Sequence, residues 1–273
     1  MSSLSLPQTG SLRLAPKPGS SALSNASPDC WYEASAPEAA QFPALTGDQR
    51  ADVCVIGGGF LGLSTALHLA EAGFDVILLE AAFLGAGASG RNGGLVLPGF
   101  TATNAELAAA TDAATARKLW DFSVEAVQRV KARVARHEIS CDLKDGVLTA
   151  AVAAGHARQL ARDAGTLRRD YGYDGLELLS AEEARRLVRS DRYQGGVLDR
   201  EAAHLHPLAY LRGLARAAQE AGVRIFEASP ARHVAPDRVT CDQGNVSARH
   251  VVLAANVGIG DLSKQLRRTI LPL

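Results

Sequence analysis

The feature that most constrains this chain is a bare turn, Gly57-Gly58-Gly59-Phe60-Leu61-Gly62, set between two apolar runs. Ahead of it, Asp52 to Ile56 (DVCVI) is short and β-branched, the pattern of a strand buried on both faces. Behind it, Leu63, Leu67 and Ala70 recur at helical spacing, and Gly73 sits where a helix C-cap glycine belongs. Asp75 to Leu79 (DVILL) reads as a second buried strand, ending at Glu80. Strand, helix and strand within about thirty residues form a β-α-β unit, with parallel strands and a right-handed crossover.

The turn matches G-x-G-x-x-G in the setting that gives the pattern meaning: strand before, helix after, acidic residue at the end of the next strand. Gly57 permits the tight exit from the strand. Gly59 has no Cβ, so a pyrophosphate can approach the backbone, and Gly62 lets helix and strand pack closely. Free N–H groups and the helix dipole then favour the phosphates' negative charge. The Glu80 carboxylate can accept hydrogen bonds from both hydroxyls of an adenosine ribose and would repel a 2′-phosphate, which disfavours NADP. The alternative is an ordinary β-α-β unit whose glycines serve packing; the offset of Glu80 weighs against it.

Several classes are excluded. Val53 to Ala70 is uncharged and long enough to suggest a membrane span, but its glycines, Ser64, Thr65 and His68 would face lipid poorly. Residues 1–28, rich in Ser, Pro and Gly, lack a basic segment followed by an apolar one; they read as a flexible tail, not a secretory signal. Lys+Arg and Asp+Glu are both 29, so no global field recruits nucleic acid. Cys30, Cys54, Cys141 and Cys241 are widely spaced, which fits a reducing, cytoplasmic setting and argues against a thiolate metal site.

Further along, residues 85–99 (GAGASGRNGGLVLPG) form a second glycine-dense loop. Leu119, Phe122, Ala126, Val130 and Val134 mark the expected inner face of a long helix. A strand is expected near Gly146–Val152, a charged surface helix over His156–Arg169, a helix opened by a Ser180/Glu183 capping box, and a strand over Tyr193–Leu198. Pro207 suits the first turn of a helix with Leu208, Leu211, Ala215 and Ala218 on one face, stopped by Gly222. Val223–Phe226 and His250–Ala255 read as strands. Chain length, 273 residues, is comfortable for two lobes.

The fingerprint alone does not choose between FAD and NAD. GASGRNGG, residues 87–94, follows the Glu80 strand where the rest of an extended flavin nucleotide would run. VCVIGGGFLGLSTALHLAEAGFDVILLEA followed by GAGASGRNGG resembles the D-amino-acid oxidase superfamily of FAD-dependent oxidoreductases. The subgroup with glycine oxidase, sarcosine oxidase and gamma-glutamylputrescine oxidoreductase is the most similar. Asp29-Cys30-Trp31-Tyr32-Glu33-Ala34, His204-Leu205-His206-Pro207 and the VVLAAN strand at Val251–Asn256 resemble segments of the gamma-glutamylputrescine type or of the family.

The resemblance implies a Rossmann-like FAD-binding domain of the glutathione-reductase type with an incomplete α+β substrate domain. It assigns residues 29–100 to the first part of the FAD domain, 101–200 to a helical segment and partial substrate domain, and 201–273 to a return into the FAD domain. It implies that Gly57, Gly58, Gly59, Phe60, Leu61 and Gly62 line the pyrophosphate, that Glu80 binds the ribose with Ala81 beside the adenine, and that Ala88 and Ser89 lie along the diphosphate. Gly93, Gly94 and Leu95 approach the flavin ring, and Ala231 meets adenine through its backbone. The implied reaction is hydride transfer from a neutral amine or amino acid to the flavin, followed by imine hydrolysis and reoxidation by oxygen or another acceptor. Relatives continue well past Leu273, so a truncated chain that binds FAD poorly and turns over slowly or not at all is expected.

No catalytic base is named. Arg91 either faces the flavin edge or a substrate carboxylate, or covers a surface loop. His204 and His206 fall on one face of a strand, in a structural or substrate-side role, and no metal site is expected. Arg212, Arg216 and Arg224 read as a solvated face, Trp31 and Tyr32 as packing residues. The competing readings are an NAD-dependent dehydrogenase and a non-catalytic flavin-binding module.

Overall fold

A computed structural model describes residues 30–270. The expected flexible tail over residues 1–28 lies outside them. After helix α1 (Trp31–Ser35) the chain enters strand β1 (Gly47–Ile56), helix α2 (Phe60–Glu71) and strand β2 (Val76–Leu79). The two strands are parallel, with Val53 opposite Val76 and Ile56 opposite Leu79. Their unbroken apolar runs follow from cover on both faces. Val53, Val55, Val76 and Leu78 join one core with Leu63, Ala66 and Leu67 of α2, while Cys54, Ile56, Ile77 and Leu79 join a second core on the other side. Ala72 ends α2, and Gly73, at φ +89°, turns the chain out of it.

The middle of the chain runs through strand β3 (Leu95–Val96), helices α3 (Asn104–Ala110) and α4 (Ala113–Arg136), strand β4 (Lys144–Ala150), helix α5 (Ala154–Tyr171), strand β5 (Leu176–Leu179), helix α6 (Ala181–Val188) and strand β6 (Gly196–His204). It returns through helix α7 (Pro207–Glu220) and strands β7 (Arg224–Phe226), β8 (Ala231–Ala235), β9 (Arg238–Cys241) and β10 (Gly244–Leu253), ending in helix α8 (Lys264–Arg267). Two sheets result. The first has the order β7-β2-β1-β10-β9-β8, parallel from β7 to β10 and antiparallel beyond. The second is antiparallel, with β3, β4 and β5 all paired to β6. The chain leaves the first sheet after β2 and rejoins it at β7. This is the Rossmann-like arrangement, and the crevice at the carboxyl ends of β1, β2 and β10 is where such sheets bind ligands.

The capping box at Ser180 and Glu183 opens α6, and Pro207 opens α7, whose Leu208, Leu211, Ala215 and Ala218 are buried. Five expectations need correction. Helix α4 buries Ala116, Trp120, Ser123, Val127 and Val134, so Phe122, at 66% exposure, and Ala126 lie outside. The inner stripe is displaced because Ser123, though polar, is satisfied inside: its hydroxyl donates to Trp120 O and accepts the Gly99 N–H. The strand expected over Tyr193–Leu198 starts at Gly196 and runs on to His204 through polar Asp199–Glu201. Arg212 is not a solvated side chain. It pairs with Glu33 at 2.6 Å, the two side chains being only 14% and 23% exposed, and donates to Pro37 O. Arg216 and Arg224 reach Glu220 and Asp75 from half-exposed positions. Trp31, read as a packing residue, is exposed, whereas Tyr32 packs edge-on against His206.

The fifth correction concerns the histidines. His204 ends β6, but His206 lies past the strand as the N-cap of α7, its Nδ1 accepting the Ala209 N–H at 3.1 Å. That bond fixes the neutral tautomer with the proton on Nε2, which lies 3.0 Å from Ser35 Oγ. His206 therefore fastens α1 to the start of α7.

Candidate functional site

The glycine turn emerges from β1 at the crevice. Gly57 takes φ +110°, and a Cβ there would sit 2.6 Å from Ala254 O at the end of β10. Its N–H donates to Leu79 O at 2.8 Å, which ties the turn to β2. A Cβ on Gly62 would overlap the Gly57 carbonyl oxygen, so the third glycine is required by the return of the helix over the turn. Gly59 is the N-cap of α2, and a Cβ on it would come within 3.0 Å of Ser89 Oγ. No side chain of its own caps the helix. Ser89 Oγ, brought in by the second glycine loop, accepts the Phe60 N–H at 3.1 Å. Unpaired amides of a first helical turn, an absent Cβ and a hydroxyl alongside form a cradle suited to an anionic group.

Glu80 stands at the end of β2, half-buried. Its Oε2 accepts the Gly58 N–H at 2.8 Å and its Oε1 the Ala82 N–H at 3.0 Å. The carboxylate is thus held in place beside the turn, with acceptor capacity left over. Gly57 to Gly62, Glu80 and Ser89 are brought together in one place, while Ala81 and Ala88 lie exposed on the loop between them.

The second loop holds itself by one side chain. Asn92 Nδ2 donates to Ala88 O and Ser89 O, and its Oδ1 accepts the Gly94 N–H at 2.9 Å. Gly94 is buried at φ +69° against the Leu205 carbonyl, where a Cβ would overlap, and its own carbonyl accepts the Leu205 N–H. Gly93 and Leu95 are exposed beside it, and Arg91 is on the surface. Ala231 begins β8 and packs among the second core. Its link to the turn runs through Ser229, whose N–H donates to Glu80 O.

Sequence reasoning missed Glu227, just past β7. Its Oε1 accepts the Leu84 N–H at 2.7 Å, and the Phe42 amide lies close to the same carboxylate. Burial pushes its carboxyl above the usual range and the neighbouring Glu80 adds to this, against the lowering effect of the two amides. Its signal is the adjacency of β7 to β2, which no local pattern announces. Among the described residues, no group of three or more His, Cys, Asp or Glu gathers as a metal site, and no helix is long and apolar enough to cross a membrane.

The comparisons bear on this geometry. Residues 52–273 match the family model described as FAD dependent oxidoreductase. Gamma-glutamylputrescine oxidoreductase of Escherichia coli (strain K12) is 40% identical over 234 residues, which are 85% of this chain and 55% of that protein. Glycine oxidase of Bacillus licheniformis is 30% identical, covering 80% and 57%. The chain thus spans about half the length of the curated relatives it matches. Among solved structures, L-amino acid deaminase from Proteus myxofaciens superposes with a TM-score of 0.70 at 20% identity, over 86% of this chain and 52% of that one. Glycine oxidase from Geobacillus kaustophilus gives 0.62 at 21% identity, over 80% and 58%. At such identities the structures establish the fold.

Proposed function

The chain belongs to the family of FAD-dependent oxidoreductases, and from that premise we propose that it serves the oxidation of the C–N bond of an amine or amino acid, with residues 57–62, Glu80 and the loop to Leu95 holding the cofactor. The family assignment sets aside the NAD-dependent dehydrogenase. The observation that carries the reading is the closed arrangement of Gly58 N–H, Glu80 and Ser89 around the α2 start. The amides of Gly59, Leu61 and Gly62 receive the pyrophosphate, and Phe60, its own amide held by Ser89, lines it. Glu80 orients the ribose hydroxyls, and Ala81 and Ala231 present backbone to the adenine. Ala88 and Ser89 follow the diphosphate, and Gly93, Gly94 and Leu95 approach the ring. At Gly59 the absence of a Cβ lets the phosphates come close to the backbone amides.

FAD when bound supplies the redox chemistry, accepting hydride from the carbon beside nitrogen. The chain's part is to orient that cofactor against a small-molecule amine or amino acid, with oxygen or another acceptor completing turnover. Identity to gamma-glutamylputrescine oxidoreductase supports a gamma-glutamylated or similar amine as the first substrate to try. We assign residues 29–100 and 201–273 to the cofactor side and 101–200 to the substrate side. Four unbridged cysteines, three of them buried, support a cytoplasmic setting. Anaerobic addition of candidate amines and amino acids to the FAD-loaded protein tests the proposal. Bleaching of the visible flavin band by an amine, and not by the matched alcohol, is expected. In a protein extended to the relatives' length, a loaded enzyme that no amine or amino acid bleaches overturns it.

A further inference from the structure

Residues 80–84 carry the acid of the proposed cofactor seat, and at every second position they are bonded to residues 226–229, the end of β7 and the turn after it. The Glu80 N–H donates to Phe226 O at 2.8 Å, and the Glu80 carbonyl accepts the Ser229 N–H at 2.9 Å. The Ala82 carbonyl accepts the Ala228 N–H at 2.8 Å. These are backbone bonds. They stop where Ala228 turns at φ +47°, and the next amide, that of Leu84, is met by a side chain, Glu227 Oε1 at 2.7 Å.

Glu227 also touches the approach to β1. The Phe42 amide lies close to its carboxylate, and its own N–H donates to Pro43 O at 3.1 Å. What it holds is the wall behind the glycine turn. Leu84 is buried, and a Cβ on Gly58 would overlap its side chain and come 3.1 Å from Glu80 Oε2, the atom that accepts the Gly58 N–H. The left-handed backbone of Ala228 is unfavourable for a residue with a Cβ; such conformations persist where the surroundings over-determine them, and they cluster at ligand sites. A half-buried carboxyl is a costly way to join loops. A neutral amide would accept the same Leu84 N–H without facing a second carboxylate. That facing group is Glu80, at the end of β2. Residues 42–45, 81–84 and 228–229 carry no ionisable side chain, and Arg224, at the start of β7, is engaged by Asp75.

We propose that Glu227 is a positioning residue for the adenosine half of the cofactor, its carboxyl group holding residues 81–84 in the path that presents Glu80 to the glycine turn and Ala81 to the adenine. The proposal rests on the cofactor reading of this site and adds to it a dependence on pH. Burial, with the facing Glu80, holds the Glu227 carboxyl above its ordinary range. A bound diphosphate adds negative charge nearby, so the ionised carboxylate is the poorer host. Affinity is therefore full below the raised value and falls as pH rises through it.

The test titrates FAD into the full chain at intervals between about pH 5 and about pH 8, in wild type, Glu227→Ala and Glu227→Gln, with melting curves showing that each is folded. ADP, which carries the adenosine half without the flavin ring, is titrated at the acid end. Glu227→Ala is expected to weaken FAD and ADP alike, about tenfold, through loss of the bond to Leu84. Glu227→Gln keeps an acceptor there. It is expected to match wild type at the acid end and to lose most of the fall in FAD affinity toward the alkaline end. In the unliganded proteins, amide hydrogen exchange over residues 80–86 is expected to quicken in Glu227→Ala and to stay near wild type in Glu227→Gln. The proposal is overturned if folded Glu227→Ala binds either nucleotide as tightly as wild type, or if Glu227→Gln keeps the wild-type pH dependence. A wild type that takes up neither FAD nor ADP overturns the cofactor reading, and the proposal with it; a wild type that binds both while the variants bind identically overturns the proposal alone.

Discussion

Gly62 and Glu227 show how differently single residues enter this molecule. A Cβ on Gly62 meets backbone, the Gly57 carbonyl, which has no rotamer to change. Gly62→Ala should therefore cost about 3 kcal/mol or more, as overpacking against immovable atoms does, and lower the melting temperature accordingly. Gly73 has open space where its Cβ would be, so Gly73→Ala should cost only the strain of its positive φ, about 1 kcal/mol. Glu227 acts through its charge. Its folded pKa is raised, chiefly by burial, so protonation favours the folded state. That advantage is present below the ordinary carboxyl range and is lost as pH rises through the raised value. Glu227→Gln, which keeps an acceptor for Leu84, should gain melting temperature relative to wild type between pH 4 and pH 7. A difference that stays constant across that window would show that ionisation of Glu227 is not felt by the fold.

At the scale of elements, His206 at the head of α7 takes the part usually given to Ser, Thr, Asn or Asp. His206→Ala should destabilise by about 1 kcal/mol from the lost cap, and His206→Asn should recover most of it in chemical denaturation. Leu211, fully buried on the same helix against α2 and the sheet, belongs to another class: Leu211→Ala should cost about 2–5 kcal/mol. The elements legible in the sequence were those whose signal is local. DVCVI and DVILL announce strands covered on both faces, Ser180 with Glu183 announces a helix start, and Gly222 a helix stop. What escaped depends on partners distant in sequence. The inner face of α4 turns on a serine satisfied by Gly99, and β5, β8 and β9 are short strands defined by their pairing. Arg212 reads as a surface arginine until α1 delivers Glu33 to it. The glycine turn and Glu80 were legible because the turn is contiguous and its acid is one strand away. Glu227 was not, since it reaches its place only through the order of β7 beside β2.

For the whole molecule, the second glycine loop connects β2 of the first sheet to β3 of the second, so a cofactor held by that loop, as proposed, would link its binding to the stability of both. A ligand bound only by the folded state stabilises by RT ln(1 + [L]/Kd), about 2.7 kcal/mol at a hundredfold excess over Kd. The direct measurement is fluorimetric titration of FAD into wild type and Glu80→Ala, each checked for folding. Removing the carboxylate discards charge-assisted hydrogen bonds worth about 1.5–3 kcal/mol, so the dissociation constant should rise at least tenfold. An equal dissociation constant in the two proteins would contradict the assignment of the glycine turn and its facing acid as the cofactor's seat.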